Sequence, residues 1–143
     1  MRAFLRYWAP LLIWMLLIFI LSHQDGETSS QTSEWVVSIL EFLHLDLATV
    51  REYGINVLVR KAAHMTEYFI LYLLIFRLLR FHRTPLRSML IASLLFTVAY
   101  AATDEFHQIW IPGRVGTIVD VGIDSIGAAF ALLLCWLRHR TKG

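Results

Sequence analysis

The sequence predicts an all-α integral membrane protein, a single domain over residues 1–143 that forms a bundle of four transmembrane helices with a short external amphipathic helix. Hydrophobic residues make up 57% of the chain and the mean hydropathy is +0.59, whereas soluble domains average roughly 45–50% apolar residues. Four apolar segments approach the roughly 20 residues that a helix needs to cross a bilayer. All eleven acidic residues lie within 25–67 and 104–124, so the apolar segments separate acidic from basic blocks.

The first predicted span covers about 7–21 and follows Arg2 and Arg6. Its shape resembles a signal peptide, but residues 22–25 offer no small-x-small cleavage site, so we interpret it as an uncleaved span. The polar residues 22–33 are expected to form an external loop.

A helical pattern begins at Glu34, with Ser33 as the predicted cap. The predicted apolar face consists of Trp35, Val36, Ile39, Leu40, Leu43 and Leu47. Because this helix is too short and too polar to span, we expect it to lie on the outer membrane surface or over the bundle. Residues 46–53 are expected to add a turn or two before Gly54 breaks the helix.

The other three spans are predicted at about 62–79, 89–106 and 118–137. The basic hairpin at 77–87 contains Pro85 and is interpreted as a determinant of topology. In the last span, Gly127 and Ala131 form a small-xxx-small pair that would let another helix approach closely. The single cysteine, Cys135, cannot form an internal disulfide.

The basic residues predict the orientation. Nine of the thirteen lie on the side that carries both termini: Arg2, Arg6, Arg77, Arg80, Arg83, Arg87, Arg138, Arg140 and Lys142. The opposite side carries Arg51, Arg60, Lys61 and Arg114. The positive-inside rule therefore places both termini in the cytoplasm. The net charge of +2 averages two opposite faces and indicates no nucleic-acid partner.

Polar residues begin the second span and end the third at the predicted external depth. In a helix, His64 shares a face with Lys61, Glu67 and Tyr68. The third span ends with Asp104, Glu105, His107 and Gln108, and Tyr100, Thr97 and Ser93 continue backwards from Asp104 at helical spacing. Such a polar stripe is costly against lipid and should face the bundle interior.

Two carboxylates mark the start of the fourth span. Asp120 and Asp124 are four residues apart, so they lie on one face with about 6 Å of helical rise between them. Two like charges this close should raise each other's proton affinity unless a cation compensates them. The candidate cations are Arg60, Lys61 and Arg114.

Three segments thus bring titratable side chains to one depth, which predicts a site. The predicted ligand-binding residues are Lys61, His64, Glu67, Tyr68, Asp104, Glu105, His107, Gln108, Arg114, Asp120 and Asp124. The catalytic candidates, suited to general acid–base chemistry, are His64, Glu67, Asp104, Glu105 and His107. The i, i+3 spacings of His64 with Glu67 and of Asp104 with His107 make these four the metal candidates. The sequence admits a divalent metal without favouring one, because no cysteine or His-x-x-x-His arrangement reinforces it.

Two stretches, 60–71 and 104–114 continuing through 120–127, resemble the VanZ-like family of small bacterial membrane proteins. The matching positions are Lys61, His64, Glu67, Tyr68, Asp104, Glu105, His107, Gln108, Pro112, Arg114, Asp120 and Gly127. Met65 stands where the family commonly has Phe, and Asp124 stands where it often has Asn. The resemblance implies a bacterial plasma-membrane protein, and the family's namesake is associated with resistance to the glycopeptide teicoplanin.

Three functions fit these residues. In the leading hypothesis, the outer-leaflet pocket binds a lipid-linked or anionic envelope component. The anion would meet Arg60, Lys61 and Arg114, and the residues that orient it would be His64, Glu67, Asp104 and Asp120. A membrane-embedded enzyme acting on such a lipid would use His64 or Glu67 as acid or base. A proton-coupled carrier would use Asp124 and Glu67 as relay groups.

Overall fold

The computed structural model describes residues 1–42 and 54–141, and that part of the chain contains helices and connections but no strand. Four of the helices are long and apolar enough to cross a membrane, so the predicted all-α membrane fold is confirmed. The helices are α1 (Ala9–Ser22, preceded by a π-helical turn at Phe4–Trp8), α2 (Gly26–Phe42), α3 (Ile55–Phe81), α4 (Leu86–Gln108) and α5 (Ile118–Arg140).

The helices extend beyond the apolar segments that predicted them. α3 begins at Ile55 rather than near residue 62, directly after Gly54, whose φ of 77° is a left-handed conformation that favours glycine. Hydropathy ends where charged residues begin, but Arg and Lys are good helix formers and the helix continues through them. Arg60 and Lys61 are therefore held on a helix at the mouth of the bundle.

The expected external loop at 22–33 is wrong over most of its length, because α2 already begins at Gly26. Asp25 Oδ1 accepts a hydrogen bond from the Thr28 amide at 2.8 Å and so caps the helix. Ser33 is not the cap, since its hydroxyl donates to the Ser29 carbonyl inside the helix at 3.0 Å. Serine and threonine hydroxyls of this segment bond back to carbonyls one turn earlier, which makes a polar sequence compatible with a helix.

The face of α2 that packs against α3 is made of small residues. Ser29, Ser33 and Val37 are buried, whereas Trp35 is 74% exposed and Ile39 56% exposed. Trp35 and Ile39 of the predicted apolar face therefore point away from the bundle, and the small serine side chains let α2 approach. Leu43, Leu47 and the expected turn at 46–53 lie outside the described residues.

α3 is the central helix of the bundle, and it contacts α5 most extensively. A Cβ at Gly127 would overlap the carbonyl oxygen of Met65, so only glycine permits this close approach. Ala131, the second member of the predicted pair, is fully buried. Tyr68 and Tyr72 belong to the two apolar clusters that form the core.

Candidate functional site

A cavity of about 340 Å³ lies between the starts of α3 and α5, the end of α4 and the connection at 109–117; we refer to it as the polar pocket. Charged groups of both signs line it. They are Arg60, Lys61, His64, Glu105, Arg114, Asp120 and Asp124. A pocket of this composition can bind a polar group that offers both an anion and hydrogen-bond donors.

One wall of the polar pocket is an ion pair fixed by a helix cap. Lys61 Nζ lies 2.8 Å from Asp120 Oδ1. The Thr117 hydroxyl donates to Asp120 Oδ2 at 2.8 Å and accepts from the Asp120 amide at 3.1 Å. The sequence left open which cation would compensate Asp120, and the structure shows Lys61 in that position.

The side-chain amide of Gln108 links α4 to the end of α1 directly and to the start of α2 through Arg114. Its Nε2 donates to Ser22 Oγ at 3.0 Å and to Glu105 Oε1 at 3.0 Å. Its Oε1 accepts from Arg114 Nε at 3.2 Å, and Arg114 Nη1 donates to Ser29 Oγ at 2.9 Å. The ends of α1 and α4 and the start of α2 are thereby connected to the guanidinium of Arg114.

The connection at 109–117 is held against α4 and α2. The Thr117 amide donates to Glu105 Oε2 at 3.1 Å, and the amide of Gly26 donates to the Pro112 carbonyl at 3.1 Å. Gly113 has a φ of 72°, and a Cβ at Gly26 would overlap the Gly113 carbonyl oxygen. Glycines at 26 and 113 therefore allow backbone contact, which places Arg114 over the pocket.

Arg114 separates the polar pocket from a side chamber of about 120 Å³ under α2. Arg60, His64 and Arg114 line both cavities, and Glu67 lines only the chamber. Burial lowers the pKa of the Arg114 guanidinium, but a guanidinium starts so high that it stays protonated at neutral pH. A permanent positive charge therefore stands between the two cavities.

Several buried polar atoms of the described residues have no hydrogen-bond partner. These atoms are His64 Nδ1, Glu67 Oε2, Tyr68 OH, Ser93 Oγ and Asp124 Oδ2. His64 Nδ1 lies 3.6 Å from Glu67 Oε2, which is too long for a hydrogen bond. Native proteins rarely leave such atoms unpaired, and four of the five belong to predicted site residues. His64 and Asp124 line the polar pocket, so their unpaired atoms are the ones that a ligand there could satisfy.

Three described residues lie close enough to share a metal ion, and two of them, His64 and Asp104, are among the predicted metal candidates. One ligand atom each of His64, Asp104 and Glu105 lies within 4.8 Å of the others. His107 lies apart: its Nε2 is 3.0 Å from Nδ1 of His23, and the two rings stack with their centroids 5.2 Å apart. His107 is thus turned towards the end of α1, away from His64.

The other predicted ligand-binding residues that the polar pocket brings together, and those that it does not, lie at three depths: in the pocket lining, beneath the pocket and in the core. Lys61, His64, Glu105, Gln108, Arg114, Asp120 and Asp124 line the polar pocket. Asp104 is buried beneath it, with Oδ2 3.4 Å from Gln108 Nε2, and Tyr68 is fully buried in the core. The predicted polar stripe on α4 is buried as expected, with Ser93 and Thr97 inaccessible.

Sequence reasoning missed three partners, Ser22, Ser29 and Thr117. Thr117 stands three residues before Asp120, and this spacing of a hydroxyl and an acid is a capping signal that could have identified it. The two serines carry no such local signal, because their contacts depend on how α1 and α2 meet Gln108 and Arg114.

A comparison with protein-family models finds one that matches residues 7–139, nearly the whole chain, and that is described as VanZ/LLP1. The match confirms the resemblance drawn from the motifs of the second, third and fourth spans. Neither a curated protein nor a solved structure matches the chain.

Proposed function

The chain belongs to the VanZ/LLP1 family, and from that premise we propose that it is a bacterial plasma-membrane protein that binds a cell-envelope component in the polar pocket. The ligand would be a lipid-linked or anionic headgroup presented at the outer leaflet, with both termini of the chain in the cytoplasm. Nine of thirteen basic residues on the side of the termini support this orientation.

Two of the three cations in the polar pocket have partners within the protein, and the third has none among the described residues; this difference supports the proposal most directly. Lys61 is paired with Asp120, and Arg114 is hydrogen-bonded to Gln108 and Ser29. Arg60 lines both cavities and makes no hydrogen bond or ion pair within the described ranges. A guanidinium held at a cavity mouth in this way is a natural partner for a phosphate or carboxylate.

The carboxylates would recognise the rest of the headgroup. Asp124 Oδ2 is buried without a partner and lines the pocket, so it can accept a hydrogen bond from a hydroxyl or ammonium group. Pairing it would remove the cost of an unsatisfied buried acceptor, roughly 1–3 kcal/mol. Arg60 would then bind the anionic group of the ligand, and Asp124 would accept a hydrogen bond from its hydroxyl or ammonium group.

One observation favours a second candidate, a membrane-embedded hydrolase. His64, Asp104 and Glu105 can converge on a single cation, and a metal bound there could polarise a phosphoryl oxygen or activate a water molecule. Glu67, which is not one of these three residues, would then serve as the acid or base. Release of product from a lipid phosphate distinguishes this candidate from a binder.

Native mass spectrometry of the full chain tests the proposal, with polyprenyl phosphate as the anionic probe and dioleoylphosphatidylcholine as the reference lipid. Arg60→Gln should weaken retention of the anionic probe at least about tenfold, because a charge-assisted hydrogen bond contributes roughly 1.5–3 kcal/mol. Arg87→Gln is the matched control, since Arg87 is exposed at the opposite end of the bundle. Equal retention by wild type and Arg60→Gln would refute the anion site.

An envelope role is tested in cells. His64→Ala, Asp104→Asn and Arg60→Gln should change susceptibility to a glycopeptide antibiotic relative to wild type, while the amount of protein in the membrane stays near the wild-type level. A phenotype lost only in proportion to protein level would make these residues folding elements instead.

A further inference from the structure

A separate cavity of about 420 Å³ lies at the other end of the bundle; we call it the basic cavity. It is formed by the first helical turn, Phe4–Trp8, and the last turns of α3. Its lining residues are Arg6, Tyr7, Phe76, Arg77, Arg80 and Phe81. His64 and Arg77 are about 20 Å apart along α3 by helical rise, so the basic cavity is distinct from the polar pocket.

The three arginines of the basic cavity have no acidic counterpart nearby in the sequence. Residues 1–24, 68–103 and 125–143 contain no Asp or Glu. Within the described ranges, none of the three guanidiniums forms an ion pair or donates a hydrogen bond. All three arginines are exposed, and three like charges around one cavity repel each other. An anion bound between them would relieve this repulsion.

Aromatic rings hold two of these guanidiniums in place. The Tyr7 ring stacks on Phe81 with the centroids 4.3 Å apart. The guanidinium carbon of Arg77 lies 5.3 Å from the centroid of Tyr7, and that of Arg6 lies 5.8 Å from it. These are cation–π distances. Ordering the side chains before a ligand arrives reduces the entropy that binding must overcome.

We propose that the basic cavity binds a phosphate group carrying more than one negative charge, of the kind displayed by an anionic membrane lipid. Arginine offers planar, bidentate donors that fit phosphate oxygens. The cavity lies at one end of the four apolar helices, the depth at which lipid headgroups are found. Phe76 and Phe81 provide apolar walls beside the cations, where the first carbons of a lipid chain would pack.

Native mass spectrometry of the full chain in a neutral detergent tests this proposal, with cardiolipin and phosphatidylcholine as lipid probes and pyrophosphate as the soluble probe. Arg77→Gln/Arg80→Gln should weaken retention of cardiolipin by more than about tenfold, because each arginine would donate a charge-assisted hydrogen bond to the phosphate. The control, Arg87→Gln/Arg138→Gln, removes the same charge from the same end but leaves the cavity intact. It should retain cardiolipin within about twofold of wild type.

A third variant guards against misfolding, because Arg77 also contacts the Tyr7 ring. Arg80→Gln alone removes a lining charge that makes no aromatic contact within the described residues, and it should weaken retention several-fold with unchanged thermal unfolding. Competition by pyrophosphate would show that phosphate is recognised from a soluble source, and retention of cardiolipin alone would show that the lipid is required; either result supports a phosphate site. Equal losses in the cavity and control variants, or no binding of either probe, would overturn it.

Discussion

At the scale of single residues, the polar pocket depends on one amide. Gln108 supplies both a donor and an acceptor, and only an amide can donate to Ser22 and Glu105 while accepting from Arg114. The family pattern includes an acid and an amide three residues apart on α4, and the structure gives the physical reason. The amide nitrogen of Gln108 donates a hydrogen bond to the Glu105 carboxylate, and its amide oxygen accepts one from the Arg114 guanidinium.

Gln108→Glu should therefore destabilise the fold. The substitution replaces the amide donor with an oxygen about 3 Å from Glu105 Oε1, which removes the hydrogen bond to Glu105 and adds like-charge repulsion. We expect a loss of roughly 1–3 kcal/mol in the free energy of unfolding, measured by thermal unfolding in detergent. Gln31→Glu is the control, because Gln31 is exposed on α2; similar melting of both variants would contradict the role assigned to Gln108.

At the scale of helices, amino-acid composition was enough to predict the four spans. The start of α2 and the contacts within the site could not be predicted in this way, because they depend on the three-dimensional fold. The apolar segments and the pair Gly127 and Ala131 act through local properties, hydropathy and size, which a sequence displays directly. Ser29 and Ser33 look like loop residues by composition, yet they are buried because a neighbouring helix covers them. His107 had the right spacing from Asp104 for a shared ligand, but it pairs with His23, and no local pattern reveals that partner.

The α3–α5 contact gives a sharp test at this scale. Gly127→Ala should lower the free energy of unfolding by roughly 1–3 kcal/mol, because the new methyl group meets the Met65 backbone and a helix backbone cannot easily give way. Gly122→Ala is the matched control on the same helix, since nothing lies within 4 Å of a Cβ there. That control should be neutral or stabilising through helix propensity, and a reversed order of the two melting temperatures would contradict the packing.

The start of α2 gives a second test. Asp25→Ala removes the acceptor for the Thr28 amide, so amide hydrogen exchange over 26–33 should become faster. Asp25→Asn keeps a side-chain acceptor and should preserve most of the protection. An unchanged exchange rate in Asp25→Ala would mean that packing of Ser29 and Ser33 alone fixes the helix start.

The same cap should depend on pH. The hydrogen bond from the Thr28 amide holds the pKa of Asp25 below its ordinary value, so the folded state favours the carboxylate. The cap's contribution is then complete above the ordinary pKa and is lost as the pH falls through the lowered pKa. The difference in protection between wild type and Asp25→Ala should shrink in that acidic range and be constant at neutral pH.

At the scale of the whole molecule, topology is the property on which both proposed sites depend. In a Cys135→Ser background, Thr28→Cys should react with a membrane-impermeant maleimide in intact cells, because we expect α2 to be external. Thr141→Cys should react only after lysis, since the basic bias places the termini inside. Both positions are exposed, so access to reagent rather than burial decides the labelling, and the opposite pattern would invert the orientation.

The depth of the polar pocket has an electrical consequence. The pocket reaches Asp124, and its volume is enough for about ten water molecules at roughly 30 Å³ each. From Asp124 to Arg140 the helix rises only about 24 Å, so the insulating layer beside the pocket is thinner than the roughly 30 Å of an undisturbed bilayer core. Most of the membrane voltage would then fall below the pocket, and a charged headgroup could enter it almost without crossing the electric field.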